Sequence, residues 1–161
     1  TKLFPITDKE YLESLRMESL SDSFGLFELN EYLCPGFVIV TKTPEANNAL
    51  FQKLYAAMPM QDGENEPQMN ILSWMTTSTV TGENYITSVV IPRSKHRPDC
   101  YFKEGDAQIM VSPGALDMAG LLITPREEDY KKITPEIFAA VVRECGCSSA
   151  VGKEIIEKLK K

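Results

Sequence analysis

The stretch Asn70-Ile71-Leu72-Ser73-Trp74-Met75-Thr76-Thr77-Ser78-Thr79-Val80, followed by Thr81-Gly82-Glu83-Asn84 and Tyr85-Ile86-Thr87-Ser88-Val89-Val90-Ile91, decides the fold. Two runs rich in β-branched and aromatic residues flank a short polar segment containing glycine. That pattern predicts an antiparallel hairpin. Upstream, Phe37 to Thr41 has the same β-prone character and predicts a third strand. Downstream, Gln108 to Val111 and Ala119 to Ile123 are short apolar runs that predict two more.

Helices bracket these strands. Thr43-Pro44-Glu45 puts a capping hydroxyl before a proline at the first helical position. Ala46, Ala49, Leu50, Leu54, Ala57 and Met58 then form an apolar stripe, predicting a helix over 44–58. Thr134-Pro135-Glu136 repeats the start signal, with Ile137, Phe138, Val141 and Val142 on one face and Gly146 as the stop. A last helix starts near Ser148 and turns Val151, Ile155, Ile156 and Leu159 inward. Near the N-terminus, Thr7-Asp8-Lys9-Glu10 fits a capping box for a helix carrying Tyr11, Leu12 and Leu15. Pro59 to Gln68 is an acidic, Pro/Gly-bearing loop.

No regular strand–helix–strand alternation occurs, which disfavours a doubly wound parallel sheet. The expectation is a single α+β domain over 1–161. A mainly antiparallel sheet would have its helices on one face and a C-terminal helical pair.

With 161 residues, 43% hydrophobic and 25% charged, the chain has the composition of a globular domain rather than a disordered one. No apolar run approaches the ~18 residues of a membrane helix, so no membrane partner is expected. The net charge of −6 argues against a nucleic-acid partner. The four cysteines (Cys34, Cys100, Cys145 and Cys147) and the single histidine, His96, do not have the spacing of a zinc site. The expectation is no metal, no cofactor, reduced thiols and a cytoplasmic location.

The chemistry concentrates in Ile91-Pro92-Arg93-Ser94-Lys95-His96-Arg97-Pro98. Three permanent cations and the only histidine fall within five positions of an acidic chain, between two prolines that restrict the backbone. Arginine forks match phosphate or carboxylate oxygens, lysine adds a compact charge, and histidine donates or accepts near neutral pH. Arg93, Lys95, His96 and Arg97 are therefore the candidate binding residues for a phosphorylated small molecule, with Lys103 extending the patch. The competing reading is a solvated turn whose charges pair with Asp99, Glu104 or Asp106. No phosphate loop, dinucleotide fingerprint or nucleophile elbow is present. Cys100 near His96 is too weakly spaced to define a catalytic couple. Asp117 reads as a turn residue, Glu104 as a surface charge and Trp74 as core or pocket wall.

Several segments in order carry a resemblance. They are Phe4-Pro5-Ile6, Gly36-Phe37-Val38-Ile39, Met69-Asn70-Ile71-Leu72, Val89 to Lys95, Leu116-Asp117-Met118-Ala119-Gly120-Leu121-Leu122-Ile123 and Tyr130 to Thr134. Together they resemble the second half of the GDP-hexose phosphorylases, in the histidine-triad (HIT-like) nucleotidyltransferase superfamily. They also resemble bacterial proteins of unknown function that share the I-P-R-x-K-H-R-P string. The resemblance implies a HIT-like fold. It further implies covalent transfer of a nucleotidyl group through a histidine in an H-x-H-x-Q motif, with a nucleotide-sugar as substrate. This chain lacks that motif, and His96 lies in a different one.

The resemblance therefore implies the C-terminal part of a longer phosphorylase or nucleotidyltransferase-like protein. It would be catalytically silent alone and would supply scaffold and part of a phosphate or nucleotide pocket. The start at Thr1 rather than Met agrees. The N-terminal half of the same protein is then the expected partner. Self-association is expected of the fragment if that half normally covers an apolar face. The alternative from a different class is a non-catalytic binding or interaction module.

Overall fold

The hairpin forms. In the computed structural model, which describes residues 6, 8, 11, 12, 15, 18–20, 25–78 and 80–161, five strands make one antiparallel sheet. They are β1 (Glu18–Ser19), β2 (Leu26–Glu28), β3 (Phe37–Thr41), β4 (Met69–Thr77) and β5 (Asn84–Pro92). Their order is β1-β2-β3-β5-β4. β4 and β5 pair from Met69 opposite Pro92 to Thr77 opposite Asn84. The connection is longer than the four-residue turn read from the sequence: Ser78 N donates to Glu83 O at 2.8 Å and Gly82 N to Ser78 O at 2.9 Å.

Among the described residues, five α-helices accompany the sheet: α1 (Pro44–Ala57), α2 (Ala115–Met118), α3 (Glu127–Lys132), α4 (Pro135–Cys145) and α5 (Ser149–Leu159). The start signals act as read. Thr43 Oγ1 accepts from Ala46 N, Thr134 Oγ1 from Ile137 N, and Ser148 Oγ from Val151 N. Near the N-terminus, Asp8 Oδ1 accepts from Tyr11 N at 3.1 Å. Thr7 and Glu10 of the expected capping box lie outside the described residues, as do Phe4 and Pro5.

The helices cover both faces, not one. On one side Val38, Val89 and Ile91 pack with Met118, Val142 and Cys145. On the other, Phe37, Ile39 and Val90 pack with Leu54 and Ala57 of α1 and Ile155 of α5. The physical reason stood in the sequence. Contiguous apolar runs such as Val89-Val90-Ile91 mark strands buried on both sides, whereas one-sided burial leaves an alternating pattern. The C-terminal helices straddle the end of the sheet, one on each face. The link between them joins the end of β5, where Cys147 N donates to Pro92 O at 2.9 Å and Ser94 N to Cys145 O at 3.0 Å. Lys158 reaches from α5 to the Ala57 carbonyl at the end of α1.

Two expected strands are absent. In Gln108 to Val111, the donors turn to local partners: Met110 N to Asp129 Oδ2 at 3.0 Å, and Val111 N to Ile109 O at 2.9 Å. The segment packs as a satellite core, with Ile109 and Val111 against Val141. Ala119 to Ile123 follows the single turn of α2. Asp117 accepts from Gly114 N at 2.8 Å and from Ile123 N at 2.7 Å, folding the segment into a loop. Short apolar runs do not distinguish a strand from a buried loop.

β2 went unread because it is three residues long. Its entrance needs Gly25, whose φ is +138° and whose added Cβ would lie 2.8 Å from Leu50 Cδ1 and 2.9 Å from Val40 O. No helix among the described residues is long and apolar enough to cross a membrane.

Candidate functional site

The basic turn leaves the end of β5 and sits between α4, the 59–68 loop and the 112–114 segment. Its four candidate residues have different fates.

Arg93 points inward and is buried. Its Nη1 donates to Asn70 Oδ1 at 2.9 Å and to the Pro113 carbonyl. Nη2 donates at 2.9 Å to the carbonyls of both Lys95 and His96. These bonds curl the turn around its own guanidinium and tie it to β4 and to the 113 loop. No carboxylate pairs with Arg93 among the described residues; the charge is met by carbonyl dipoles. Burial of a cation is tolerated only where its donors are satisfied. Arg93 Nε finds no hydrogen-bond partner there.

Lys95 is paired. Its Nζ lies 2.7 Å from Asp99 Oδ1 and 2.5 Å from Glu144 Oε1. Glu144 Oε1 also accepts from Asp99 N at 2.7 Å. The hydrogen bonds that Lys95 donates to Asp99 and Glu144 push its pKa up, and the bond from Lys95 holds the Asp99 carboxyl below its usual range. This is the local pairing that the solvated-turn reading foresaw for Asp99.

His96 is exposed and borders a cavity of about 660 Å³ that Tyr55, Glu64, Glu66 and Arg93 also line. Gln61 ties the 59–68 loop to the turn, donating to the carbonyls of Arg93 at 3.0 Å and Ser94 at 3.1 Å.

Arg97 turns the other way. Its guanidinium lies 4.3 Å from the centroid of the Tyr101 ring, and Nε reaches Ser112 Oγ at 3.3 Å. Both Nη atoms are without a protein partner among the described residues. Tyr101 and Ser112 also line a second cavity of about 450 Å³, walled mainly by Met110, Leu116, Ile123 and Pro125. A stacked guanidinium keeps its edge free for oxygens, and an apolar hollow beside it accepts a ring or a sugar.

The four residues thus do not converge on one pocket. Arg93 and Lys95 build the turn, His96 borders one cavity beside Arg93, and Arg97 lies against Tyr101 and Ser112, which line another. Sequence reasoning missed Tyr101 and Ser112, which make Arg97 useful. It also missed the fork between Arg126 and Asp129: Nε to Oδ2 at 2.7 Å and Nη2 to Oδ1 at 2.9 Å, with Asp129 fully buried. Arg126-x-x-Asp129 at helical spacing was the available signal.

The thiols are not activated. Burial pushes Cys34 up to about 12 and Cys147 up to about 11, and raises Cys145 and Cys100 as well. No hydrogen bond joins Cys100 to His96. Among the described residues, no group of three His, Cys, Asp or Glu side chains is placed to hold a metal ion. Asp117 is a turn residue with both oxygens engaged, and Trp74 packs half-buried against the core.

Comparison with family models, with curated proteins and with solved structures finds no match.

Proposed function

We propose that this chain is a scaffold with an anion-binding corner, taking a phosphorylated small molecule without performing chemistry on it. Arg97 holds the phosphate through its free Nη edge, and the organic body lies in the hollow beside Tyr101. The supporting observation is the stacking of Arg97 on Tyr101 at 4.3 Å, which fixes the guanidinium against a side chain that lines a cavity large enough for a base or a sugar. Arg93 and Lys95 position the turn. A nucleotide or nucleotide-sugar is the ligand class in this reading. The nucleotidyl transfer that the HIT-like resemblance implies then belongs to the N-terminal half of the same protein. A cytoplasmic setting fits four free thiols.

The test is isothermal titration of the chain with GDP and with inorganic phosphate. GDP binds, and Arg97→Ala weakens it by about tenfold or more, the loss of a charge-assisted contact. Residues 1–161 release no nucleoside phosphate from GDP-hexoses in the presence of phosphate. Absence of GDP binding, or equal binding by Arg97→Ala, overturns the reading.

A further inference from the structure

The fork between Arg126 and Asp129 reaches beyond its own helix. Asp129 is fully buried, and its Oδ2 also accepts from Met110 N at 3.0 Å. Arg126 uses a further donor: Nη1 reaches Gln108 Oε1 at 3.2 Å. At the other end of the same amide, Gln108 Nε2 donates to the Tyr101 carbonyl at 3.3 Å. Main-chain bonds run alongside, with Tyr101 N donating to Pro98 O at 3.0 Å and Ile109 N to Cys100 O at 3.1 Å. One buried carboxylate thus holds Met110 directly, and Tyr101 through Arg126 and Gln108. Both Met110 and Tyr101 line the cavity of about 450 Å³.

Position 108 has a specific chemical demand. Its side chain accepts from a cation on one side and donates to a carbonyl on the other. A neutral primary amide does both, and only one orientation of it fits. The reverse would set NH2 against the guanidinium and oxygen against oxygen. A carboxylate would accept from Arg126 but has nothing to donate, and an alkyl group does neither. Tyr101 in turn carries the ring on which the Arg97 guanidinium stacks at 4.3 Å. Packing secures that ring only weakly: Phe102, edge-on to it at 5.1 Å, is itself 68% exposed. The short turn Asp99–Phe102 therefore depends on its hydrogen bonds for its place.

We propose that Gln108 is the positioning residue of the Arg97–Tyr101 stack. Its amide ties the Tyr101 backbone to the Arg126–Asp129 fork, so the guanidinium is held in place before a ligand arrives. A cation already ordered loses less freedom on binding, and the same contacts then give a tighter complex. The effect on affinity rests on the anion-binding corner proposed above; the effect on the stack does not.

Proton nuclear Overhauser contacts between the Arg97 side chain and the Tyr101 ring, measured on the ligand-free full chain, read the stack directly. They are expected in the parent chain and lost in both Gln108→Ala and Gln108→Glu. Gln108→Glu keeps an acceptor for Arg126, so it separates the arm to Tyr101 from the packing of the segment. The indole resonance of Trp74, which packs against the main core, stays unchanged in both variants and shows that the fold is intact. Titration with GDP is expected to show affinity reduced by about threefold to tenfold in each variant, the effect of one hydrogen bond. Contacts of parental strength in either variant overturn the proposal, as does GDP affinity unchanged in both variants of a chain that binds GDP. A parent chain that binds no GDP, with the contacts responding as expected, overturns the ligand reading alone.

Discussion

The Lys95 ammonium lies 2.5 Å from Glu144 Oε1, joining the basic turn to the last turn of α4 across 49 positions of sequence. Glu144 also accepts from the Asp99 backbone, so one carboxylate organises both limbs of the turn. Glu144→Ala is expected to cost about 1–2 kcal/mol in urea unfolding, more than an isolated surface pair because two donors lose their acceptor. Part of this loss is screened by added salt. A variant as stable as the parent would show the pairing to be incidental.

Arg93→Ala removes four donors from Asn70, Pro113, Lys95 and His96 and leaves buried carbonyls unmet. The expected loss is about 3–5 kcal/mol. Arg93→Lys is expected to recover little of it, since an ammonium cannot reproduce the fork. Guanidinium denaturation of both variants measures this. A loss under about 1 kcal/mol contradicts the structural role given to Arg93.

The Arg126 fork holds the Asp129 carboxyl below its ordinary range against the opposing effect of burial, and Met110 N assists. A carboxyl depressed in the folded state contributes stability that is present above its unfolded pKa. That stability is lost as pH falls through the folded value. Thermal unfolding followed from neutral pH downward should therefore show a decline below about pH 4 that is smaller in Asp129→Asn. That variant is also less stable at neutral pH. Equal acid slopes would remove Asp129 from the account.

Gly146 approaches Cys34 so closely that an added Cβ would lie 2.5 Å from its Cβ and 2.6 Å from its Sγ. The backbone there, with φ −71°, suits any residue; the constraint is space alone. Gly146→Ala is expected to cost about 1–3 kcal/mol by overpacking. It should also loosen the 145–147 link to β5, read as faster amide exchange at Ser94 and Cys147.

Cys34, Cys145 and Cys147 are buried, and Cys100 is partly exposed. A thiol reagent near neutral pH should modify Cys100 alone in the folded chain and all four after unfolding. The raised thiols hold their protons longer when folded. Stability is therefore complete below the unfolded thiol pKa and falls as pH rises from there toward the folded values of about 11 and 12. Fast modification of a second thiol in the folded chain would contradict this packing.

Much of the fold was legible because its signals are local. Thr43-Pro44, Thr134-Pro135 and Ser148 cap helices by bonds within three residues, and Phe37 to Thr41 needs only its β-branched composition. What was not legible depends on distant partners. Ala119 to Ile123 has the composition of a strand, and Asp117 decides against it. The two-faced burial of Val89-Val90-Ile91 was present as a contiguous apolar run but was read as one-sided. At the site, the run Arg93 to Arg97 announced its charge. Its spacing could not reveal that Arg93 turns inward to Pro113, twenty residues on, while Arg97 turns outward to Tyr101.

Among the four residues of the turn, Arg97 is the one left for an anion. A nitrogen–proton correlation titration of the isotope-labelled chain with GDP tests this most directly. Saturable shifts concentrated at Arg97, Tyr101, Ser112 and Gly114 are the expected result. Shifts confined instead to His96 and the 59–68 loop, or no shifts at all, would contradict it.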